Sequence, residues 1–177
     1  ALILSTFLYS QDYYSLELDN TGVSQLIIFQ NSISSLEPGD EIGIFDASGI
    51  TNSGDCSSQT AELLVGTGVW SGNQLELVSI GSIDNCAFGG FQLPGFVDGN
   101  SVVIKIYRAS EEVEYSATAT YSAGTGTFGD LFMAVSDLTL DDGNYVGPYY
   151  NIDINSTGSN QLIIFQNSIS SLEPGDE

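Results

Sequence analysis

Short stretches in which apolar and polar residues alternate recur along the chain. In the clearest of them, 112–122, Val113, Tyr115 and Ala117 fall on one face of an extended strand, and Glu and Ser residues fall on the other. This period of two is typical of a half-buried antiparallel strand. Turn residues such as Gly, Pro, Asn and Asp separate the stretches. The strands predicted in this way are 15–19, 25–30, 41–46, 62–70, 74–80, 101–109, 112–122 and 132–140.

No stretch has the length and composition of a convincing helix, because good helix formers are few and Gly is frequent. So many strands with short turns predict an all-β fold, namely an antiparallel β-sandwich. The pattern does not choose between jelly-roll and immunoglobulin-like topology. Trp70, within the apolar run 62–70, is expected in the core of this sandwich.

One long segment of the sequence occurs twice. Residues 25–41 recur letter for letter at 161–177, and the window 1–41 aligns without a gap on 137–177 with 24 identities. The offset of 136 residues predicts tandem repeats. We therefore interpret 1–12 as the tail of a preceding repeat with its linker. Residues 13–148 are then one complete repeat, with its own linker at about 141–148, and 149–177 begin the following repeat.

The second copy of the repeated segment has apolar faces that two strands alone cannot bury. We expect these faces to be covered either by further repeats of the same chain or by strand addition to another copy of it, and both arrangements give a linear assembly. The alternative is two ordinary domains. The predicted assembly residues are Tyr149, Tyr150, Ile152, Ile154, Leu162, Ile163, Ile164 and Phe165.

Charge and composition exclude several functions. The chain has 23 acidic residues against one Lys and one Arg, a net charge of −21, which argues against nucleic acid and anionic membranes as partners. It has no His, which rules out Ser-His-Asp and Cys-His catalysis and His-ligated zinc. No apolar run reaches 18 residues, so we expect no membrane insertion. We expect no enzyme, although a glycosidase-like pair of carboxylates in a deep cleft would contradict that expectation.

Two features predict local chemistry. Cys56 and Cys86 are the only cysteines, each in a polar loop, and favour a disulfide in an oxidising compartment; two free buried thiols are the alternative. Acidic and amide side chains also cluster in loops, as Ca²⁺ ligands do, although such residues ordinarily solvate the surface. We expect no other cofactor. The candidate Ca²⁺ ligands are Asp40, Glu41, Asp46, Asp141, Asp142 and Asn144.

Several runs resemble a known kind of module. They are PGDEIGIFD at 38–46, ELLVGTGVW at 62–70, QLELVSIGS at 74–82 and the long run 99–130, with Cys56 between the first two. Together they resemble β-sandwich repeats of large secreted surface proteins of Bacteroidetes-type bacteria, which often carry a C-terminal sorting domain. The resemblance implies an extracellular or cell-surface location and a role as adhesin, filament or spacer. It implies no catalytic residues.

Two functions follow as expectations. The first is a structural repeat of an extracellular fibre, filament or adhesin stalk, whose partners are copies of itself. The second is a binding module for carbohydrate or another ligand, with a surface glycan as partner. An exposed planar row of aromatic side chains would favour the second, because sugars stack on such platforms. The apolar loop from Phe88 to Phe96 is expected to be a contact between repeats, and an exposed binding tip is the alternative.

Overall fold

The structure is a computed structural model that describes residues 13–141 and Gly143. The chain divides into two units between Gly143 and Asn144, inside the segment 141–148. Only the first unit is described below. The residues predicted from sequence that lie outside the described part are 1–12, Asp142, Asn144, Tyr149, Tyr150, Ile152, Ile154, Leu162, Ile163, Ile164 and Phe165.

The described unit is all-β and sandwich-like, with one sheet of seven strands and a small sheet of two. The strand order of the large sheet is β3-β2-β7-β8-β9-β1-β4, and β5 pairs with β6. A single turn of 3₁₀ helix, Cys86–Phe88, joins β5 to β6. The strands are β1 Ser24–Phe29, β2 Glu41–Ile50, β3 Thr60–Val69, β4 Leu75–Ile80, β5 Ile83–Asp84, β6 Gln92–Leu93, β7 Val102–Arg108, β8 Val113–Ala123 and β9 Met133–Asp141.

A strand occupies each position predicted from the alternation except 15–19. That prediction is wrong, because the segment from Tyr14 to Thr21 makes no strand ladder. The predicted antiparallel pairing holds for every pair of the large sheet but one. β1 and β9 run parallel, with Ile27 beside Met133 and Phe29 beside Val135.

One hydrophobic core fills the sandwich. Ile42 and Ile44 of β2 meet Ile104 and Ile106 of β7, and all four are buried. Phe29 is fully buried as well, and Trp70 is 2% exposed, as predicted for the core. β3 and β4 stand at opposite ends of the strand order but pack against each other, so the sheet folds over the core. Glycine permits this approach, since a Cβ on Gly68 would lie 2.5 Å from Leu77 Cδ2.

The turn before β2 is held by a buried ion pair. Asp40 accepts hydrogen bonds from Arg108 Nε at 3.0 Å and from Arg108 Nη2 at 2.8 Å, a two-point contact with 2% of Asp40 exposed. The Asp40 carboxylate also accepts the backbone N–H of Glu37. Hydrogen bonding to Asp40 raises the pKa of Arg108, so the guanidinium stays charged. The pair therefore joins the turn at 37–40 to the end of β7.

The other cation lies in a different environment. Lys105 Nζ contacts Glu62 Oε1 at 2.6 Å, but Glu62 is half exposed and the pair sits on the outer surface of the sheet. Lys105 also lies over the ring of Phe45, 4.6 Å from its centroid. Exposed ion pairs of this kind contribute about 0–1 kcal/mol to stability.

We predict unequal effects when one acid is neutralised in each ion pair. Asp40→Asn removes the buried two-point partner of the guanidinium and leaves the more distant Glu37 and Glu111, at 3.8 and 3.7 Å, so it should lower the free energy of unfolding by about 3 kcal/mol. Glu62→Gln is the matched control and should cost less than about 1 kcal/mol. Urea unfolding followed by tryptophan fluorescence measures both. Equal losses in the two variants would contradict this account.

Candidate assembly site

The outer surface of β2 and β7 is covered by the start of the described chain. Glu41, Gly43 and Phe45 face this side of β2, opposite the core isoleucines. The ring of Tyr14 packs directly over Gly43, where a Cβ would lie 3.1 Å from its carbons. β2 is consequently buried on both faces, and a side chain at position 43 would press on Tyr14 and clash with Phe45, whose Cε2 would lie 2.7 Å from the added Cβ.

Two adjacent tyrosines fix this covering segment. The carboxylate of Glu41 accepts the backbone N–H groups of Tyr13 and Tyr14, at 3.0 and 3.1 Å to Oε2. The hydroxyl of Tyr14 donates to Glu114 Oε2 at 2.9 Å, and the ring of Tyr13 stacks on Tyr107 with centroids 3.7 Å apart. We call these five residues the clasp. In it a side-chain carboxylate takes the place of a neighbouring strand as the acceptor of backbone N–H groups.

Burial and charge keep Tyr14 in its neutral form. Desolvation raises the pKa of its phenol, and the hydrogen bond to the Glu114 carboxylate raises it further, because that acceptor favours the protonated hydroxyl. The pKa of Tyr13 is raised in the same direction, first by desolvation and then by the charge of Glu114. The clasp therefore favours the protonated phenols of Tyr13 and Tyr14.

Beyond the clasp, the chain crosses the unit and enters the sheet as β1. Thr21 donates to the carbonyl of Gly81, and Gln25 accepts the backbone N–H of Gly129. β1 then lies between β9 and β4, with Ile27 and Phe29 in the core. We call this position between β9 and β4 the β1 slot.

The two copies of the repeated segment differ only at exposed or half-buried positions and never at a buried one. Between 13–29 and 149–165, every position buried in the structure is identical, namely Tyr14, Gln25, Ile27 and Phe29. Two half-buried positions exchange Leu for Ile, at Leu16 and Leu18. The remaining differences fall on exposed positions, which are Ser15, Glu17, Asp19, Asn20, Val23 and Ser24.

The described unit begins and finishes at the same end of the sandwich. Tyr13 lies against Glu41 and Tyr107, at the start of β2 and the end of β7. Asp141, the last residue of β9, pairs with Ser116, two residues along β8 from Glu114 of the clasp. We call this the clasp end. The opposite end, at which β1 and β9 begin, is the loop end.

The candidate Ca²⁺ ligands are not brought together in the part of the chain that the structure describes. Asp40 binds Arg108, and Glu41 accepts the N–H groups of Tyr13 and Tyr14. Asp141 is exposed at the end of β9, where it accepts the N–H of Gly143. Within residues 13–141, no three acidic or cysteine side chains are grouped so that they could hold a metal ion.

Asp46, the remaining candidate among these residues, is fully buried and also bonded to N–H donors. Its carboxylate accepts from the backbone of Val97 at 2.8 Å and from Asn100 Nδ2 at 2.9 and 3.0 Å. It faces a cavity of about 200 Å³ that Ala47, Ser48 and Ser101 also line. Asp46 supplies the one carboxylate of this cavity, and that carboxylate is already hydrogen-bonded to Val97 and Asn100. The role of Asp46 is therefore to anchor the loop before β7.

The predicted disulfide is confirmed and ties two loops together at the loop end. Cys56, after β2, is bonded to Cys86, in the 3₁₀ turn, with their Cα atoms 6.0 Å apart. A separate network supports the same loops, since Asn52 Nδ2 donates to Gln92 Oε1 at 3.0 Å and Gln92 Nε2 donates to Asp84 at 3.1 Å. The covalent bond therefore reinforces loops that are already hydrogen-bonded.

The aromatic side chains divide between covered and exposed positions. Tyr13 covers the ring of Tyr107 and Lys105 covers that of Phe45, so these two rings are not open, whereas Tyr13 itself is 47% exposed. Phe88 is 90% exposed on the disulfide-braced turn, and Phe91 is about half exposed beside it. This pair forms an apolar tip at the loop end.

Comparison with known proteins assigns this chain to no family. No family model, curated protein or solved structure matches the chain. Within residues 13–141 there is also no helix of the length and apolarity that crossing a membrane requires.

The clasp was missed by the sequence analysis, although one signal for it exists. Tyr13 precedes Glu41 by the same interval as Tyr149 precedes Glu177.

We predict that reducing the disulfide weakens the unit without unfolding it. The bond closes a loop over a sequence separation of 30 residues, which should contribute about 3–4 kcal/mol by restricting the unfolded chain. The double variant Cys56→Ser with Cys86→Ser should match the reduced protein in urea unfolding. Its far-ultraviolet circular dichroism should stay that of a β protein, because the Asn52–Gln92 network remains. Loss of the β signal on reduction would show that this network is insufficient.

We predict a loss of stability above pH 10 that depends on Tyr14. The unfolded chain releases this phenolic proton near pH 10, whereas the folded protein, with a raised pKa, retains it. The contribution is therefore complete below pH 10 and is lost as pH rises above it. Tyr14→Phe should cost about 1 kcal/mol at pH 7 through the lost hydrogen bond. Above pH 10 its stability should fall less steeply than that of the unchanged protein, and identical slopes would refute the assignment.

Proposed function

We propose that this chain is a structural repeat of an extracellular fibre, filament or adhesin stalk, and that its partners are copies of itself. The observation that carries the proposal is the match between burial and sequence in the repeated segment. Tyr14, Gln25, Ile27 and Phe29 are buried and unchanged in the second copy, and every difference between the copies falls on an exposed or half-buried position. Such a pattern arises when both copies pack into the same fold, so residues 149–177 begin a second unit of this kind.

Other features of the described unit fit this role. A disulfide is typical of proteins that fold in an oxidising compartment, which agrees with a secreted or cell-surface location. A net charge of −21 gives neighbouring units a mutual repulsion that opposes unspecific sticking. The function then lies in how units contact one another rather than in a cleft.

A second candidate function is a ligand-binding module of a multidomain secreted protein. The observation in its favour is the exposure of Phe88 on a turn held by Cys86. An exposed aromatic ring on a rigid turn is a suitable anchor for a ligand, including the apolar face of a surface glycan. In this alternative the tip at the loop end acts, and repetition raises avidity.

We predict that the native protein behaves as a multimer of this unit. Material from the natural source is run on a denaturing gel, boiled with and without reductant, and the unboiled sample is imaged by electron microscopy. A covalent array gives a mass many times 18.8 kDa that survives boiling and reduction. A non-covalent polymer gives filaments before boiling and a band near 18.8 kDa after it.

The opposite outcome is a protein that forms no multimer. Unboiled material that shows no filaments and a single band near 18.8 kDa would overturn the stalk proposal. The ligand-binding alternative would then be tested by titrating soluble glycans against the protein. Phe88→Ala is the variant for that titration, and Val78→Ala, at another exposed apolar position, is its control.

A further inference from the structure

We propose that the β1 slot and clasp of one copy accept residues 149–165 of another copy in place of its own residues 13–29. Exchange of this segment is then the contact that joins copies. The inference rests on the proposed function in that both take copies of the chain as partners. It goes further by naming the segment that is exchanged and the surface that receives it.

The β1 slot can receive the second segment because residues 149–165 carry the same side chains at the positions that point into the core. The slot bonds its occupant through the backbones of β9 and β4, which any extended segment without proline can satisfy. Specificity comes from the side chains that point into the core. Ile27 and Phe29 have no exposed surface, and Ile163 and Phe165 reproduce them at the same spacing.

The second segment also carries the groups that the clasp binds. Its receiving groups are Glu41, Tyr107 and Glu114, and its donors are two backbone N–H groups and one phenol. Tyr149 and Tyr150 offer these groups twelve and eleven residues before Gln161, as Tyr13 and Tyr14 do before Gln25. Tyr150 is therefore the counterpart of Tyr14 as donor to Glu114.

The substitutions between the two segments do not oppose exchange. Those at exposed positions meet solvent in the unit, so Asn160 in place of Ser24 displaces nothing. At the half-buried positions Ile152 and Ile154 replace leucines of the same volume, a change that cores tolerate. Asn155 aligns with Asp19, so the incoming segment also brings one negative charge fewer to an acidic surface.

A cross-link tests whether the segment enters the slot of another copy. In the sheet Ile28 lies opposite Glu76, and Ile164 aligns with Ile28. One full-length chain carries Glu76→Cys and a second carries Ile164→Cys. The two are mixed in urea, refolded together and oxidised. If the segment occupies the slot, thiols at positions 76 and 164 become cross-strand neighbours, and a dimer forms that reductant dissolves.

The matched control places the second thiol out of register. Residue 160 aligns with Ser24, which lies opposite Ile80 rather than Glu76. A chain with Asn160→Cys should therefore give only the background level of dimer with the Glu76→Cys chain. Peptide mapping of the dimer must find the new bond between positions 76 and 164, with Cys56 still bonded to Cys86.

A pair of tyrosine variants tests competition for the clasp. Tyr14→Ala in the receiving chain weakens its own segment and should raise the cross-linked fraction, while Tyr150→Ala in the donating chain should lower it. Each change should shift the exchange equilibrium about tenfold, equivalent to about 1.4 kcal/mol of lost contact. The two together should restore the original level. Tyr150→Ala leaves the receiving unit intact, so the test stands even if Tyr14→Ala prevents folding.

The outcomes separate this inference from the stalk proposal. Dimer no greater than the out-of-register control, or dimer unaffected by either tyrosine variant, would overturn exchange. If the native protein is a covalent array and the Glu76→Cys and Ile164→Cys variants form no cross-link, exchange is overturned and the stalk proposal stands. A native band near 18.8 kDa without filaments, combined with the cross-link, overturns the stalk but supports exchange.

Discussion

The carboxylate of Asp40 meets the guanidinium of Arg108 where several parts of the fold converge. Asp40 closes the turn at 37–40 and exchanges backbone hydrogen bonds with Trp70 through its own carbonyl and the N–H of Gly39. Arg108 brings the end of β7 to the same point and donates to the carbonyl of Ser35. In a chain with 23 acids and two basic residues, half of the positive charge is committed to this joint. A buried charge without its partner would be costly, so the joint holds as a whole or fails as a whole.

The clasp depends on this joint through a single residue. Glu41 follows Asp40 directly, so the ion pair that fixes the turn also fixes the carboxylate that receives Tyr13 and Tyr14. Glu41 accepts two backbone N–H groups from the arriving segment. The charge is stabilised by these backbone N–H donors, as at the start of a helix. An acidic side chain thereby organises the surface on which the chain arrives, and that surface is the one through which we propose that copies meet.

Short-range patterns in the sequence predicted those elements whose structure such patterns decide. The alternation from Val113 to Tyr121 predicted β8 and its half-buried face, and two cysteines in polar loops predicted the disulfide. The prediction failed at 15–19, because Leu16 and Leu18 alternate like strand residues although that segment pairs with no strand. Alternation reports which side chains are buried and not what receives the backbone hydrogen bonds.

The carboxylates show a second limit of sequence reasoning. Asp40, Glu41 and Asp46 are close in sequence and resemble cation ligands, yet each is bonded to N–H donors in the described unit. A buried carboxylate requires partners, but the sequence does not say whether these are metal ions, arginine or backbone amides. Asn100, which donates to Asp46, and Glu114, which accepts from the Tyr14 hydroxyl, lie more than 50 residues away from these partners in the chain. No local pattern contains that information.

The shared location of Tyr13 and Asp141 at the clasp end has a mechanical consequence. Tension applied at Tyr13 and Asp141 would act on two points at one end of the described unit, so the hydrogen bonds between them would be strained one after another rather than all at once. The first to yield would be the side-chain bonds of the clasp, after which β1 would be drawn out from the loop end. The disulfide would exclude the segment between Cys56 and Cys86 from the released length. In the fibre that we propose, such a unit would act as an extensible element of limited stroke rather than as a stiff rod.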